Sequence, residues 1–154
     1  MITLRPANTA DLDPLSRLCL RSNAHWGYDA AFMAQARDEL TVRASDLATD
    51  EIVVALAAGD IVGMAQVATG STIAHLERLY IAPSHIGLGI GRVLFDWARE
   101  TARRHAAEQM VVVADPNAAA FYRKMGCTDA GHAPSGSIPG RVLPRLICPI
   151  RAAP

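Results

Sequence analysis

The sequence predicts an α/β fold, and three observations point to it. Short β-rich runs alternate with helical stretches along the chain. Two of those runs meet in EIVVALAAGDIVGMAQVAT around Ala58-Gly59-Asp60, where glycine supplies a hairpin turn. Further on, AHLERLYIAP alternates as a strand and leads into Gly87, Gly89 and Gly91, spaced at alternate positions before an amphipathic stretch.

Each element has its own local reason. Ile2 and Leu4 alternate with Thr3 and Arg5, and Pro6 stops this first strand. Asn8, Thr9 and Asp11 are competent caps for a helix carrying Leu12, Leu15, Leu18 and Cys19, and Pro14 fits only its first turn. The link HWGYDAAF leads to a second helix over residues 29–40. In AHLERLYIAP, strict alternation puts His75, Glu77, Leu79 and Ile81 on one face and Leu76, Arg78 and Tyr80 on the other. After the glycines, Ile90, Val93, Leu94, Trp97, Thr101 and Ala102 form a helical stripe. MVVVA reads as a buried strand, DPNAAAFYRKMG as a helix ended by Gly126, and CTDAGH as another strand. RVLPRLICPI closes the chain as a strand that Pro144 places at an edge or breaks in two. The order is β-α-α-β-β-β-α-β-α-β-β.

Composition narrows the function. With 154 residues, 51% hydrophobic and 19% charged, the chain is long enough for one globular domain with a real core. Fifteen basic and fifteen acidic residues cancel, so nothing draws it to nucleic acid or anionic lipid, and any phosphate recognition is local. Cys19, Cys127 and Cys148 have no metal or redox spacing and read as buried or incidental thiols of a reducing compartment. No signal-like or membrane-spanning run occurs, and the cytoplasm is the expected location.

The glycine loop fits neither G-x-G-x-x-G nor a Walker loop, since Lys124 is the only lysine. What remains is strand, Pro83, G-x-G-x-G, Arg92, helix. Successive N–H groups there suit a pyrophosphate, while a tight turn would need the same glycines for its backbone alone.

LERLYIAPSHIGLGIGRVLF resembles the acetyl-coenzyme A signature of the Gcn5-related N-acetyltransferase (GNAT) superfamily, R/Q-x-x-G-x-G/A at a strand–helix junction. With its last two glycines on Gly89 and Gly91, Ile86 stands where the family usually has Arg or Gln. DPNAAAFYRKMGC is similar to the family's N-x-x-A-x-x-F-Y-x-x-x-G-F helix. Ala118, Phe121 and Tyr122 match, Asp115 stands at the usual Asn with Asn117 two residues on, and Cys127 replaces the usual Phe. The opening ITLRPANTADLDPLSRL resembles the family's start, so the likeness spans nearly the whole chain. It implies one GNAT-like acyl-CoA-binding domain over residues 1–154. It also implies a mixed central sheet of about six to seven strands with helices on both faces.

The resemblance further implies acetyl-CoA as donor and a division of labour. The backbone of Leu79, Tyr80 and Ile81 would pair with the pantetheine arm, and Ile86, Gly87, Leu88, Gly89, Ile90, Gly91 and Arg92 would hold the phosphates. Asp115, Asn117, Phe121 and Tyr122 would complete the cofactor site. Tyr122, a phenol of pKa about 10, is the candidate acid for the departing thiolate. Glu77 is the candidate base, with His75 as second choice. Trp26, Tyr28 and Asp29 border the acceptor, joined by His75 and by Ser137 in the turn PSGSIPG. No cysteine stands at a motif position for covalent catalysis, so direct transfer to a primary amine of a small or amino-acid-like acceptor is expected. Two alternatives stay open: a non-catalytic acyl-CoA-binding regulatory module, and acetylation of a protein amine. A homodimer through the last strand is also allowed.

Overall fold

A computed structural model describes residues 1–150. Its strands are β1 (Ile2–Pro6), β2 (Glu51–Ala57), β3 (Asp60–Ala68), β4 (Ile73–Ile81), β5 (Gln109–Val113), β6 (Thr128–Pro134) and β7 (Val142–Pro149). Its helices are α1 (Leu12–Ala24), α2 (Ala30–Leu40), α3 (Ala44–Thr49), α4 (Ile90–Arg104) and α5 (Ala119–Lys124). The strands form one mixed sheet in the order β1-β2-β3-β4-β5-β7-β6. Only β4 and β5 pair in parallel, and helices cover both faces. Leu15 and Leu18 of α1 are buried with β2 and β3 in one cluster, while Phe95 and Ala98 of α4 join β5, β7 and Tyr122 in a second. No described helix is long and apolar enough to cross a membrane.

Local signals explain the first half well. Asn8 caps the 3-10 turn Thr9–Asp11 through its side chain, and Asp11 returns a bond to the Asn8 N–H. The Asp11 carboxylate is gripped by Arg5 at 2.7 and 2.9 Å, tying β1 to the start of α1 and holding its pKa below the usual carboxylate range.

Four expectations are corrected. A short helix, α3, stands between α2 and β2. Its six residues carry one large apolar side chain, Leu47, too little for periodicity to show. Second, β7 lies inside the sheet and β6 is the edge. Pro144 is tolerated because β5 ends at Val113, opposite Arg145. Its carbonyl accepts from Ala114, just past that end, so its missing N–H leaves no β5 acceptor unpaired.

Third, β4 does not alternate throughout. Gln66 pairs with Arg78 and Val67 with Leu76, so Glu77 is the extra residue of a bulge. Below it Ala74 and Leu76 face the α4 cluster. Above it Leu79 packs there with Trp97, and Ile81 borders the same space over Gly63 as Leu94 of α4. Glu77, Arg78 and Tyr80 therefore share the opposite side, where strict alternation would have separated Glu77 from the other two.

Fourth, Cys127 and Cys148 form a disulfide across the β6–β7 pairing, and only Cys19 is a free thiol among the described residues. Burial pushes the Cys19 thiol up to about 12, which leaves it unreactive at neutral pH. The bridge closes a loop of sequence separation 21. Replacing both half-cystines by alanine should cost about 3 kcal/mol. Urea unfolding of the two proteins, with and without dithiothreitol, would measure it; equal midpoints would show that the bridge does not form.

Candidate active site

The parallel pair β4–β5 is where the site begins. Register holds only from Ile73 to His75, opposite Gln109 to Val111, and then the strands part. From Leu76 to Ile81, β4 is paired with β3 alone, which leaves the Leu79–Ile81 backbone open on its β5 side. An open ladder within a sheet is a ready partner for an extended amide-bearing chain.

Directly beyond that edge lies the glycine loop. Gly87 and Gly89 have φ of 83° and 85°, the left-handed region that side chains resist. A Cβ on either would meet nothing within 4 Å, so both face open space. Among the described residues, the N–H groups from Ile86 to Arg92 donate to no backbone acceptor, and Val93 is the first to bond back, to Gly89. Seven successive bare amides (Ile86–Arg92) at the start of a fifteen-residue helix suit a diphosphate, and exposed Arg92 adds a cation. Ile86 and Leu88 are exposed apolar flanks. Gly91 has a different duty: a Cβ there would sit 3.1 Å from the Phe121 ring, so its absence lets α5 pack on the first turn of α4.

That packing places Tyr122. It is buried between Phe95 and Phe121, and burial alone drives its phenol far above the ordinary value. The Tyr80 phenol is likewise pushed far up, first by burial and in part by neighbouring Tyr122. Both phenols therefore stay protonated at neutral pH.

On the other side of β4 is a cavity of about 230 Å³. Five carboxylates line it, those of Glu39, Asp46, Asp50, Glu77 and Asp115, against two guanidinium groups, Arg78 and Arg141. Its floor is a fixed network. Arg78 donates to Gln66 at 2.6 Å and to the Glu39 and Thr41 carbonyls, and lies 3.4 Å from Asp46. Fully buried Gln66 donates in turn to Asp46 and Asp50. Burial would raise Asp46, but the Arg43 N–H, Gln66 and Arg78 bring it below the usual range. Glu77 moves the other way: burial raises it, the charges of Asp50 and Asp46 add to that, and His75 and Arg78 oppose it. A carboxylate of raised pKa among other acids is a better proton acceptor than a free one. A larger cleft of about 470 Å³, bordered by Leu4, Leu47 and Trp97, holds none of the motif residues.

The sequence-predicted acceptor residues separate in space. Ser137 lines the cavity and Tyr28 stands behind its wall, bonded to Asp115. Asp29 is spent as the N-cap of α2, accepting from the Phe32 N–H. Trp26 is exposed beside His25, and His75 is exposed on β4 outside the lining. Asp115, expected on the donor side, lines this cavity, and Asn117 donates to both Asp115 and Tyr28. Glu39, Asp46, Asp50, Gln66, Arg78 and Arg141 were not foreseen as lining; only the side switch at Glu77 and long-range pairing bring them together.

A parted parallel pair, a bare-amide turn and an acidic cavity across the same strand suit an α/β protein that binds an extended, diphosphate-bearing ligand. Solved N-acetyltransferases share the fold. A GCN5-related N-acetyltransferase from Rhodopseudomonas palustris superposes with a TM-score of 0.80 at 23% identity, over 96% of this chain and 94% of its own. The PaiA N-acetyltransferase from Thermoplasma acidophilum, solved with coenzyme A, gives 0.77 at 18%, over 97% and 99%. YncA from Salmonella typhimurium, solved with its cofactor acetyl-CoA, gives 0.70 at 22%, over 100% and 98%. None of the curated proteins matches the chain. A family profile described as an acetyltransferase (GNAT) domain matches residues 21–133, and the chain belongs to that family.

Proposed function

We propose that the protein transfers the acetyl group of acetyl-CoA directly to the primary amine of a small cationic acceptor. The observation that carries this reading is the opening of β4 between the bare amides on one side and the carboxylate-lined cavity on the other. Bound at the split, acetyl-CoA supplies an acyl group activated as a thioester. Residues Ile86–Arg92 would hold its diphosphate, and the free edge at Leu79–Ile81 its extended arm. The acidic lining favours an ammonium over a neutral or anionic acceptor. Glu77 takes the ammonium proton at its carboxylate, freeing the nitrogen lone pair. Tyr122 keeps its proton at Oη through the neutral range and delivers it to the sulfur that leaves.

The direct test is incubation with acetyl-CoA and a panel of amines, with free thiol detected as it forms. Turnover is expected on short cationic amines. Tight coenzyme A binding with no thiol released on any amine would favour a non-catalytic binding module.

Glu77→Gln separates the base from the pocket. Because the carboxyl must be ionised to act, wild-type kcat/KM should rise with pH through a pKa above the usual glutamate value. The amide variant should lose about 10- to 100-fold near neutrality and recover at high pH, where the amine is already free. A pH–rate profile with the same shape in both proteins would assign deprotonation to solvent.

A further inference from the structure

We propose that Tyr28 is a positioning residue that sets the size of acceptor this site admits, by pinning two loops against α2 so that the cavity stays a pocket and not an open groove. The proposal rests on the acceptor reading of that cavity.

A phenol oxygen has one proton to give and two lone pairs to offer, and here all three are used. Tyr28 Oη donates to Asp115 Oδ2 at 2.6 Å, and accepts from Arg141 at 2.8 Å and from Asn117 Nδ2 at 3.2 Å. The partners come from far along the chain. Asp115 and Asn117 belong to the turn between β5 and α5, and Arg141 ends the loop between β6 and β7. Burial and Asp115 both raise the Tyr28 phenol, so it stays protonated and able to donate. Its ring stacks on Phe32 of α2 at 4.0 Å, and the Arg141 guanidinium lies over both rings at 5.1 and 4.8 Å. Asp115 and Arg141 wall the cavity, whereas Tyr28 holds them from behind.

The β6–β7 loop is braced within itself. Ser135 Oγ accepts from the N–H groups of Ser137 and Ile138, and the Ser135 N–H donates to the Arg141 carbonyl. Its tip meets α2 as well, because a Cβ on Gly136 would stand 3.2 Å from Glu39 Oε1. The loop thus meets α2 at two points, Gly136 on Glu39 and Arg141 on Phe32, with Tyr28 just ahead of the helix gripping Arg141 as well. A peptide acceptor needs a groove through which its chain can continue. A cavity of about 230 Å³ walled on this side by the clasp suits a short amine and obstructs a continuing chain.

Tyr28→Phe removes the three hydrogen bonds but keeps the ring stack, and Asp115 and Arg141 remain 3.6 Å apart as an ion pair, so the fold survives. The probes are butane-1,4-diamine and a hexapeptide with a free N-terminal amine, each assayed with acetyl-CoA for kcat and KM separately. The variant should raise KM for the diamine with kcat little changed, and shift the peptide-to-diamine ratio of kcat/KM upward by about tenfold or more. Hydrogen exchange should quicken in residues 115–118 and 135–141. Arg141→Met should act in the same direction, and the double variant should add little to either single one. Unchanged exchange, or an unchanged ratio in a wild type that turns over, overturns the clasp. A wild type that acetylates neither probe fails one step earlier, at the acceptor reading, and takes the size claim with it.

Discussion

Replacing Gly89 by tryptophan should reduce coenzyme A affinity by about a hundredfold or more while the protein still folds. The φ of 85° at this position imposes about 1–2 kcal/mol on any side chain, too little to unfold a domain of this kind. The indole would enter the open space in front of the loop, where a Cβ meets nothing within 4 Å. That is the space a diphosphate needs in order to reach the amides of Ile90 to Arg92. Hydrogen bonds to a charged group contribute about 1.5–3 kcal/mol each, so masking two of them accounts for the loss. Gly89→Ala carries the same backbone strain without the bulk and is the control. Calorimetric titration with coenzyme A, beside a thermal melt, separates the two effects. If the tryptophan variant binds as wild type does, the phosphates sit elsewhere.

Tyr122→Phe should lower kcat by about 10²- to 10⁴-fold, the usual span for a positioned acid. KM and unfolding midpoint should hardly move. Burial is the sole cause of the raised Tyr122 pKa, and no hydrogen bond from another group contributes to it. The hydroxyl makes no side-chain hydrogen bond among the described residues and is not sealed from solvent, so its removal leaves no partner unpaired and should hardly change the fold. The ring contacts with Phe95 and Phe121 persist in the variant. Steady-state kinetics with thiol detection would test this, and an undiminished kcat would assign the proton on sulfur to solvent. A merely structural tyrosine would show the opposite pattern, a shifted melt and intact turnover.

Much of the glycine turn and its helix was legible because its signals are local. The alternate glycines, the proline before them and the stripe of α4 are read from neighbours in sequence, and the structure has them in one turn. The Ala118, Phe121, Tyr122 spacing likewise marks α5, although helix begins only at Ala119 because Asp115–Ala118 form a turn. The lining of the acidic cavity was hidden for the converse reason. Arg78, Gln66, Asp46 and Asp50 come from β4, β3 and the ends of α3, and only sheet register brings them together. A bulge leaves no mark in an alternating pattern, so Glu77 could not be placed beside Arg78 from the sequence alone. Asp29 was within reach: an aspartate before AAF is an ordinary helix cap, and that local bond took it out of the pocket. The Cys127–Cys148 pairing needed the β6–β7 register, since an odd count of cysteines defines no partner.

The extra residue in β4 has a consequence for how this enzyme can change. Below position 77 the even-numbered side chains Ala74 and Leu76 serve the interior, and above it the odd-numbered Leu79 and Ile81 do. Straightening the strand by deleting one residue would swing either those leucine and isoleucine side chains away from α4 or the Glu77 carboxylate away from the cavity it lines. Chemistry and hydrophobic interior are geared to a single tooth, so neither can be retuned by sliding the strand without disengaging the other.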